Sequence, residues 1–242
     1  MEAKHPFLSI IIPAYNEEKR LPVSLEKIIA YLRSQDYTAE VIVVNDGSQD
    51  NTSAVVRSFA ASHPFISLID NEHRGKGYAV KTGMLAGRGE YLFLCDADLS
   101  MPIEEVAKFL PPALRGYDVA IGSREVEGAR RYDEPFYRHL MGRVFNLVVR
   151  LLTVRSFQDT QCGFKCFGRE AAKDIFSAQT MDGFGFDVEV LFIAQKRGYR
   201  IVEVPINWHH VANSRINPLR DTFRMFCDVV RVRLNDWKGQ YG

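Results

Sequence analysis

Three apolar runs near the start of the chain stop abruptly at polar and acidic residues, and this repeat constrains the fold more than any other feature. Leu8-Ser-Ile-Ile-Ile-Pro13 leads into Ala14-Tyr15-Asn16-Glu17-Glu18, and Glu40-Val-Ile-Val-Val-Asn45 leads into Asp46-Gly47-Ser48-Gln49-Asp50. Glu90-Tyr-Leu-Phe-Leu-Cys95 ends in Asp96-Ala97-Asp98. Near-continuous apolar runs of this length read as strands covered on both faces, as in parallel sheets. Unpaired carboxylates are costly to bury, so each acid should emerge at a strand's carboxyl end. Those ends face the ligand crevice of an open parallel sheet, which brings Tyr15, Asn16, Glu17, Asp46, Asp96 and Asp98 toward one site.

Helical patterns fill the intervals. The spacing predicts helices near 21–34, 51–62 and 77–86, with Leu21, Leu25, Ile28, Ile29 and Leu32 on one face of the first. Pro22 suits a first helical turn. Further strands are expected at 66–69 and 117–121, and Pro102 opens a short helix. This alternation predicts an α/β chain with a doubly wound, mostly parallel sheet. Beyond it, 137–152 reads as a helix, 163–167 as a short strand, 186–197 as a helix, 200–204 as a strand and 219–237 as a closing helix.

Two carboxylates at a strand tip offer a hard-oxygen site for Mg²⁺ or Mn²⁺, with positions left for substrate phosphates. An isolated Asp-x-Asp is also compatible with a solvated turn. Three polar or acidic strand tips in one sheet favour a site.

Pro13-Ala-Tyr-Asn-Glu17, Val44-Asn-Asp46-Gly-Ser48-x-Asp50-x-Thr52 and Asp96-Ala-Asp98 resemble the motifs of family 2 inverting glycosyltransferases with the GT-A fold. Gly75-Lys-Gly77, Gly122-Ser-Arg124, Gly163-Phe164 and Glu203-Val-Pro205 follow in that family's order. The likeness runs from about residue 7 to 220 and is strongest to the glucosyltransferase branch of the dolichyl- or polyprenyl-phosphate hexose synthases. It implies a nucleotide-diphospho-sugar transferase fold with a C-terminal helical extension on the acceptor side. Within one domain, 7–124 would bind the nucleotide sugar, 125–217 the acceptor, and 218–242 would form an amphipathic helix.

The resemblance also assigns roles. Asp98 would ligate the metal directly and Asp96 would touch it through water, or else touch the ribose, while Ser100 stands where similar synthases often carry Gln. Asp46 would accept from the base, Tyr15 stack on it and Glu17 take a ribose hydroxyl; a packed Tyr and a helix-capping Glu are the plainer alternatives. Pro13 belongs to the same donor motif. Lys76, between two glycines and beside Arg74, suits phosphate, or else a solvated Gly-rich turn. Arg124 would point at the diphosphate. With Asp98 and Arg124, Arg138 completes the catalytic set, and Arg138, Arg143, Asp159 and Arg215 would hold the acceptor.

The implied reaction moves a hexose, glucose by this branch, from UDP to a dolichyl or polyprenyl phosphate with inversion to a β-linkage. A phosphate acceptor is already anionic and needs cations rather than a general base. Arg143, Asn146 and Arg150 share a face of the apolar 137–152 segment, which suits a phosphate with an isoprenoid tail, or equally a core helix whose arginines snorkel outward. Asp187 is expected at sugar hydroxyls and Glu189 in a structural place. GDP-mannose as donor, a saccharide or protein hydroxyl as acceptor, and a non-catalytic nucleotide-binding scaffold are the rivals.

Composition narrows the setting. A net charge of +1 over 242 residues gives no global pull toward nucleic acid. Cys95, Cys162, Cys166 and Cys227 lack zinc-site spacing and read as reduced cytosolic thiols, and the adjacent His209 and His210 lack clear metal partners. Met1–Pro6 shows no signal-peptide pattern, and no stretch approaches the ~20 apolar residues of a bilayer span. Related enzymes often carry such a span, so membrane contact here is expected to be peripheral, on the cytoplasmic face. The closing helix, with Leu219, Phe223, Phe226, Val230, Leu234 and Trp237 on one face and Arg220, Arg224, Asp228, Arg231 and Asn235 in a polar stripe, could lie in that interface or pack on the domain.

Overall fold

The computed structural model describes residues 5–132, 153, 157–209 and 218–242, with side chains from 226 onward in the last segment. The apolar runs form β1 (Leu8–Ala14), β2 (Ala39–Asp46) and β4 (Tyr91–Leu94), with β3 (Ile66–Asn71) and β5 (Val119–Ser123) completing the first half. Between them lie α1 (Leu21–Arg33), α2 (Thr52–Ser62), α3 (Lys76–Ala86) and a 3-10 helix over Ile103–Phe109. The later elements are β6 (Arg130–Tyr132), β7 (Lys165–Gly168), α4 (Arg169–Ala178), α5 (Phe186–Lys196), β8 (Ile201–Pro205), β9 (Asn207–His209) and α6 (Pro218–Trp237).

Among the described residues the main sheet runs β3-β2-β1-β4-β7-β5-β8. β1 pairs in parallel with β2 from Leu8↔Ala39 to Ala14↔Asn45, and with β4 from Leu8↔Tyr91. β7 runs antiparallel to both β4 and β5, so the sheet is mostly parallel with one reversed strand. Because helices cover both faces, alternate residues of one strand enter different cores. Ile10, Ile12 and Phe93 pack beneath α1 with Leu25 and Ile28. Ile11, Leu92 and Leu94 pack on the other side with Val80, Ile175 and Phe186. Phe93 meets Phe109 and Phe164 edge-on, at 5.2 and 5.0 Å between ring centroids, the arrangement the ring quadrupoles favour.

Several boundaries differ from expectation. The fifth strand covers 119–123 rather than 117–121, and the short strand near 163–167 covers 165–168. Helix α4 was not anticipated, although Ala171, Ala172, Ile175 and Phe176 give it a buried stripe. Nor was the small parallel pair of β6 with β9, matching Arg131 to Trp208. Four of its six residues, Arg130, Arg131, Asn207 and His209, are charged or polar, and long-range pairing rather than local propensity makes them strands. The predicted helix 137–152, with Arg138, Arg143, Asn146 and Arg150, lies outside the described residues. So do His210, Ser214 and Arg215, and the side chains of Leu219, Arg220, Phe223 and Arg224.

Candidate active site

The carboxyl ends of β2, β1 and β4 lie side by side, and their loops are locked to one another. Asn16, at φ 54°, accepts from the Gln49 amide at 2.8 Å, while its own amide donates to Ser48 Oγ at 2.8 Å. Asn45 Nδ2 donates to Asp70 and Ser53, and its Oδ1 accepts from the Ser48 amide. The first two motif loops are thereby a single hydrogen-bonded unit.

Asp46 ends β2, almost fully buried. Its carboxylate accepts from the amides of Arg74 (2.9 Å) and Gly75 (3.0 Å), and His73 Nδ1 lies at 2.9 Å. Tyr15 stacks on the His73 ring at 4.2 Å and 18°. Asp46 thus anchors the loop after β3 as well as facing the site. Gly75 has φ +127°, and a Cβ there would stand 2.5 Å from the Asp182 carbonyl oxygen, so only glycine fits the turn into α3. Arg74 clasps Asp182 at 2.7 Å and lies 3.9 Å over the Tyr78 ring.

That turn delivers Lys76. Its Nζ lies 2.6 Å from Asp96 Oδ1. Burial opposes the ammonium charge, but Asp96, Asp187 and Asp98 more than offset it and raise the Lys76 pKa. The other face of the Asp96 carboxylate abuts Gly163, where a Cβ would fall 1.9 Å from Oδ2. Asp98 accepts the Ser100 amide at 3.0 Å across a turn in which Leu99 takes φ 45°. The Ser100 carbonyl in turn accepts from the His209 amide at 2.8 Å, so β9 braces the loop. Below lies a second charge pair: Lys165, wholly buried, bonds Asp187 and donates to the Cys162 carbonyl at 2.6 Å.

On the far side, Arg124 leaves β5 and grips Asp159 with two side-chain bonds, 2.7 and 3.0 Å, plus its amide at 3.1 Å. Burial works to raise the Asp159 pKa, and Arg124 overcomes it and holds the carboxyl below its ordinary value. The guanidinium lies 5.5 Å over Trp208. Glu203 fixes the loop beneath by accepting from the amides of Gln158 and Asp159.

Three of the expected residues have structural partners of their own. Pro13 sits inside β1, buried opposite Val44. Asp187 is buried on Lys165 instead of presented to a sugar. Glu17 lies beside α1, with Oε1 3.7 Å from Arg20, and its amide donates to Thr52. Glu189 ties Thr180, Met181 and Tyr241 together. Sequence reasoning passed over His73, Lys165 and Trp208, and took Glu203 only as part of a motif. Only Lys165 carried a signal, a lone cation within the apolar Gly163–Phe167 run.

Residues 9–176 match the family model Glycosyl transferase family 2. The chain belongs to that family. The match holds Asp46, Lys76, Asp96, Asp98, Arg124 and Asp159, while Asp182, Asp187 and Glu203 lie beyond it, and this family 2 chain is a glycosyltransferase. It is 36% identical over 251 residues to the dolichyl-phosphate beta-glucosyltransferase of Homo sapiens, covering 97% of this chain and 77% of that protein. The Saccharomyces cerevisiae protein of the same name is 33% identical, over 97% of this chain and 76% of its own. Among solved structures, glucosyl-3-phosphoglycerate synthase of Mycobacterium tuberculosis, with Mn²⁺, uridine diphosphate and phosphoglyceric acid, superposes with a TM-score of 0.66 at 20% identity. That likeness covers 98% of this chain and 79% of the synthase and shows the shared GT-A fold.

A metal held by this family 2 glycosyltransferase would have two carboxylates at most from β4. Among the described residues no group of three or more His, Cys, Asp or Glu side chains is placed to hold an ion. Two carboxylates with the remaining positions left to phosphate and water is the way Mg²⁺ is commonly held, so the donor set fits. Among the described residues no helix is long and apolar enough to cross a membrane.

Proposed function

We propose that this glycosyltransferase transfers glucose from UDP-glucose to dolichyl phosphate, giving the β-linked lipid-phosphate sugar. The observation that carries this is identity of 33–37% over 96–98% of the chain with the proteins of Dictyostelium discoideum, Drosophila melanogaster and Saccharomyces cerevisiae named dolichyl-phosphate beta-glucosyltransferase. The site's charges support it. Residues 7–124 take the donor, 125–217 the acceptor, and the closing helix 218–242 lies at a membrane surface that the protein meets peripherally from the cytoplasmic side.

An acceptor phosphate oxygen attacks the anomeric carbon of glucose as the bond to UDP breaks on the opposite face. No proton has to be removed, so no carboxylate base is required. The difficulty is charge: two anions approach, and UDP leaves carrying more charge than it brought. Asp96 and Asp98 would hold Mg²⁺ or Mn²⁺, which supplies Lewis-acid stabilisation of the diphosphate. Lys76, charged and half-buried beside Asp96, lies within reach of the same phosphates. Tyr15 and Asp46 face the base. Asp159 holds the Arg124 fork rigid, which suits a planar cation aimed at phosphate oxygens. Arg138, Arg143 and Arg215 receive the acceptor phosphate.

The test is transfer of radiolabelled glucose from the UDP donor to dolichyl phosphate, read as label in the organic phase. We expect transfer that stops on chelation and in Asp98→Ala, with the variant still folded by circular dichroism. Label moving from a GDP-linked sugar instead, or full activity in Asp98→Ala, would overturn the assignment.

A further inference from the structure

The outward face of α6 takes no part in the donor site. Phe226, Val230 and Leu234 are each about two-fifths exposed, and Trp237 is 89% exposed. Their i, i+4, i+8 and i+11 spacing puts them on one strip. Val229, Val232 and Asn235 occupy the opposite side and are buried. From Phe226 onward the helix is therefore apolar twice, once against the domain and once toward solvent. Its edges are cationic. On the helical wheel Arg233 borders the outward strip on one side and Arg231 on the other, with Lys238 just beyond the last turn, all three exposed. Of the acids of this stretch, Asp228 packs on Gly185, and Asp236 lies 2.6 Å from Lys196 and 4.0 Å from Arg233, whose guanidinium stands 5.6 Å over the Phe192 ring. Phe184, also exposed, sits in the loop that abuts the helix at Asp228.

We infer that this strip docks the enzyme onto an anionic phospholipid surface. An apolar stripe flanked on both edges by arginines, with a terminal tryptophan, matches what such a surface offers. Acyl chains take the stripe, lipid phosphates the arginines and the headgroup layer the indole. The inference rests on the lipid-phosphate reading above and deepens it by naming which residues of the closing helix meet the bilayer and the lipid charge that holds them. Docking also orients the donor edge. Asn235 donates to Thr180 at 3.0 Å, and the same loop's Asp182 carbonyl accepts from the Tyr78 amide at 3.1 Å beside Gly75 and Lys76. One short loop thus joins the docked helix to the phosphate-facing turn.

The experiment is sedimentation with vesicles of phosphatidylcholine, with and without phosphatidylserine, holding neither dolichyl phosphate nor UDP-glucose. The protein is expected to sediment with the anionic vesicles and to be released by salt. Leu234→Glu with Trp237→Glu lowers that partition by about tenfold or more, while Val23→Glu, an exposed apolar residue on α1, leaves it unchanged. Circular dichroism melting confirms that each variant is folded. No sedimentation, or equal sedimentation of the double variant, overturns the inference. So does a dimer that the double variant dissociates without any vesicle binding, which would make a second copy the occupant. Because the vesicles hold no substrate, failure here is distinct from failure of the glucose-transfer assay.

Discussion

Gly163→Ala tests whether the position of one carboxylate governs this site. The new Cβ would stand 1.9 Å from Asp96 Oδ2 and 2.5 Å from its Cγ, whereas ordinary contact begins at 3.4 Å. The carboxylate must therefore retreat by about 1.5 Å, the difference between 3.4 and 1.9 Å. That retreat moves the carboxylate whose other oxygen lies 2.6 Å from Lys76 Nζ, so the pair is disturbed with it. A misplacement of about 1 Å at a reacting centre costs on the order of 10²-fold in rate, equivalent to about 2.7 kcal/mol of barrier. Overpacking alone costs about 1–3 kcal/mol of folding stability, and in a chain of this size each kcal/mol lowers Tm by about 2–4 °C. The variant should thus stay folded at assay temperature, turn over about a hundredfold more slowly and need more Mg²⁺ or Mn²⁺ for half-maximal rate. Gly183→Ala is the control, because nothing lies within 4 Å of its added methyl. Wild-type turnover and metal dependence in Gly163→Ala would refute the proposed dependence on Asp96.

Other perturbations probe the charge pairs beneath the site. Asp159 titrates below its ordinary value in the folded protein, so its stabilisation is complete above the unfolded pKa of about 3.9 and is lost as pH falls through the lower folded value. Asp159→Asn should lower stability at neutral pH and flatten the acid limb of a Tm-against-pH curve; an unchanged limb would contradict the pairing with Arg124. Lys165→Met leaves Asp187 buried without its cation and should cost about 3–5 kcal/mol in urea unfolding, while Lys165→Met with Asp187→Leu recovers most of it. Burial pushes the Cys162 and Cys166 thiols up to about 12 and the Cys95 thiol well above its usual range, while Cys227 is exposed. Iodoacetamide at neutral pH should therefore label Cys227 alone in the folded protein and all four cysteines in urea, by intact mass.

The strand tips were legible because apolar runs that stop at polar and acidic residues carry both the fold and the site in one local pattern. β1, β2 and β4 lie where those runs predict, and Asp46, Asp96 and Asp98 emerge together. What the pattern could not carry was pairing. Asp46 finds His73, Arg74 and Gly75; Asp159 finds Arg124; Lys165 finds Asp187. Each partner lies 22 to 35 residues away, and nothing local to either side specifies the other. Asp187 was misread for this reason: a carboxylate at a helix start looks available until its cation is placed beneath it.

The two lysine–aspartate pairs also explain how this edge of the sheet can carry so much negative charge before any donor arrives. Asp96 and Asp98 project from one strand end two residues apart, and alone they would repel and drift. Lys76 holds one of them at 2.6 Å. Below them Lys165 pairs with Asp187, and Asp187 adds its own pull on the Lys76 ammonium. Gly163 removes the space into which Asp96 could swing. A carboxylate held by a cation on one side and a backbone wall on the other needs little reorganisation when phosphate binds, which is where electrostatic catalysis gains most. Loosening either restraint should therefore slow turnover more than it weakens donor binding, as a rise in metal requirement and a fall in kcat at nearly constant KM for the donor.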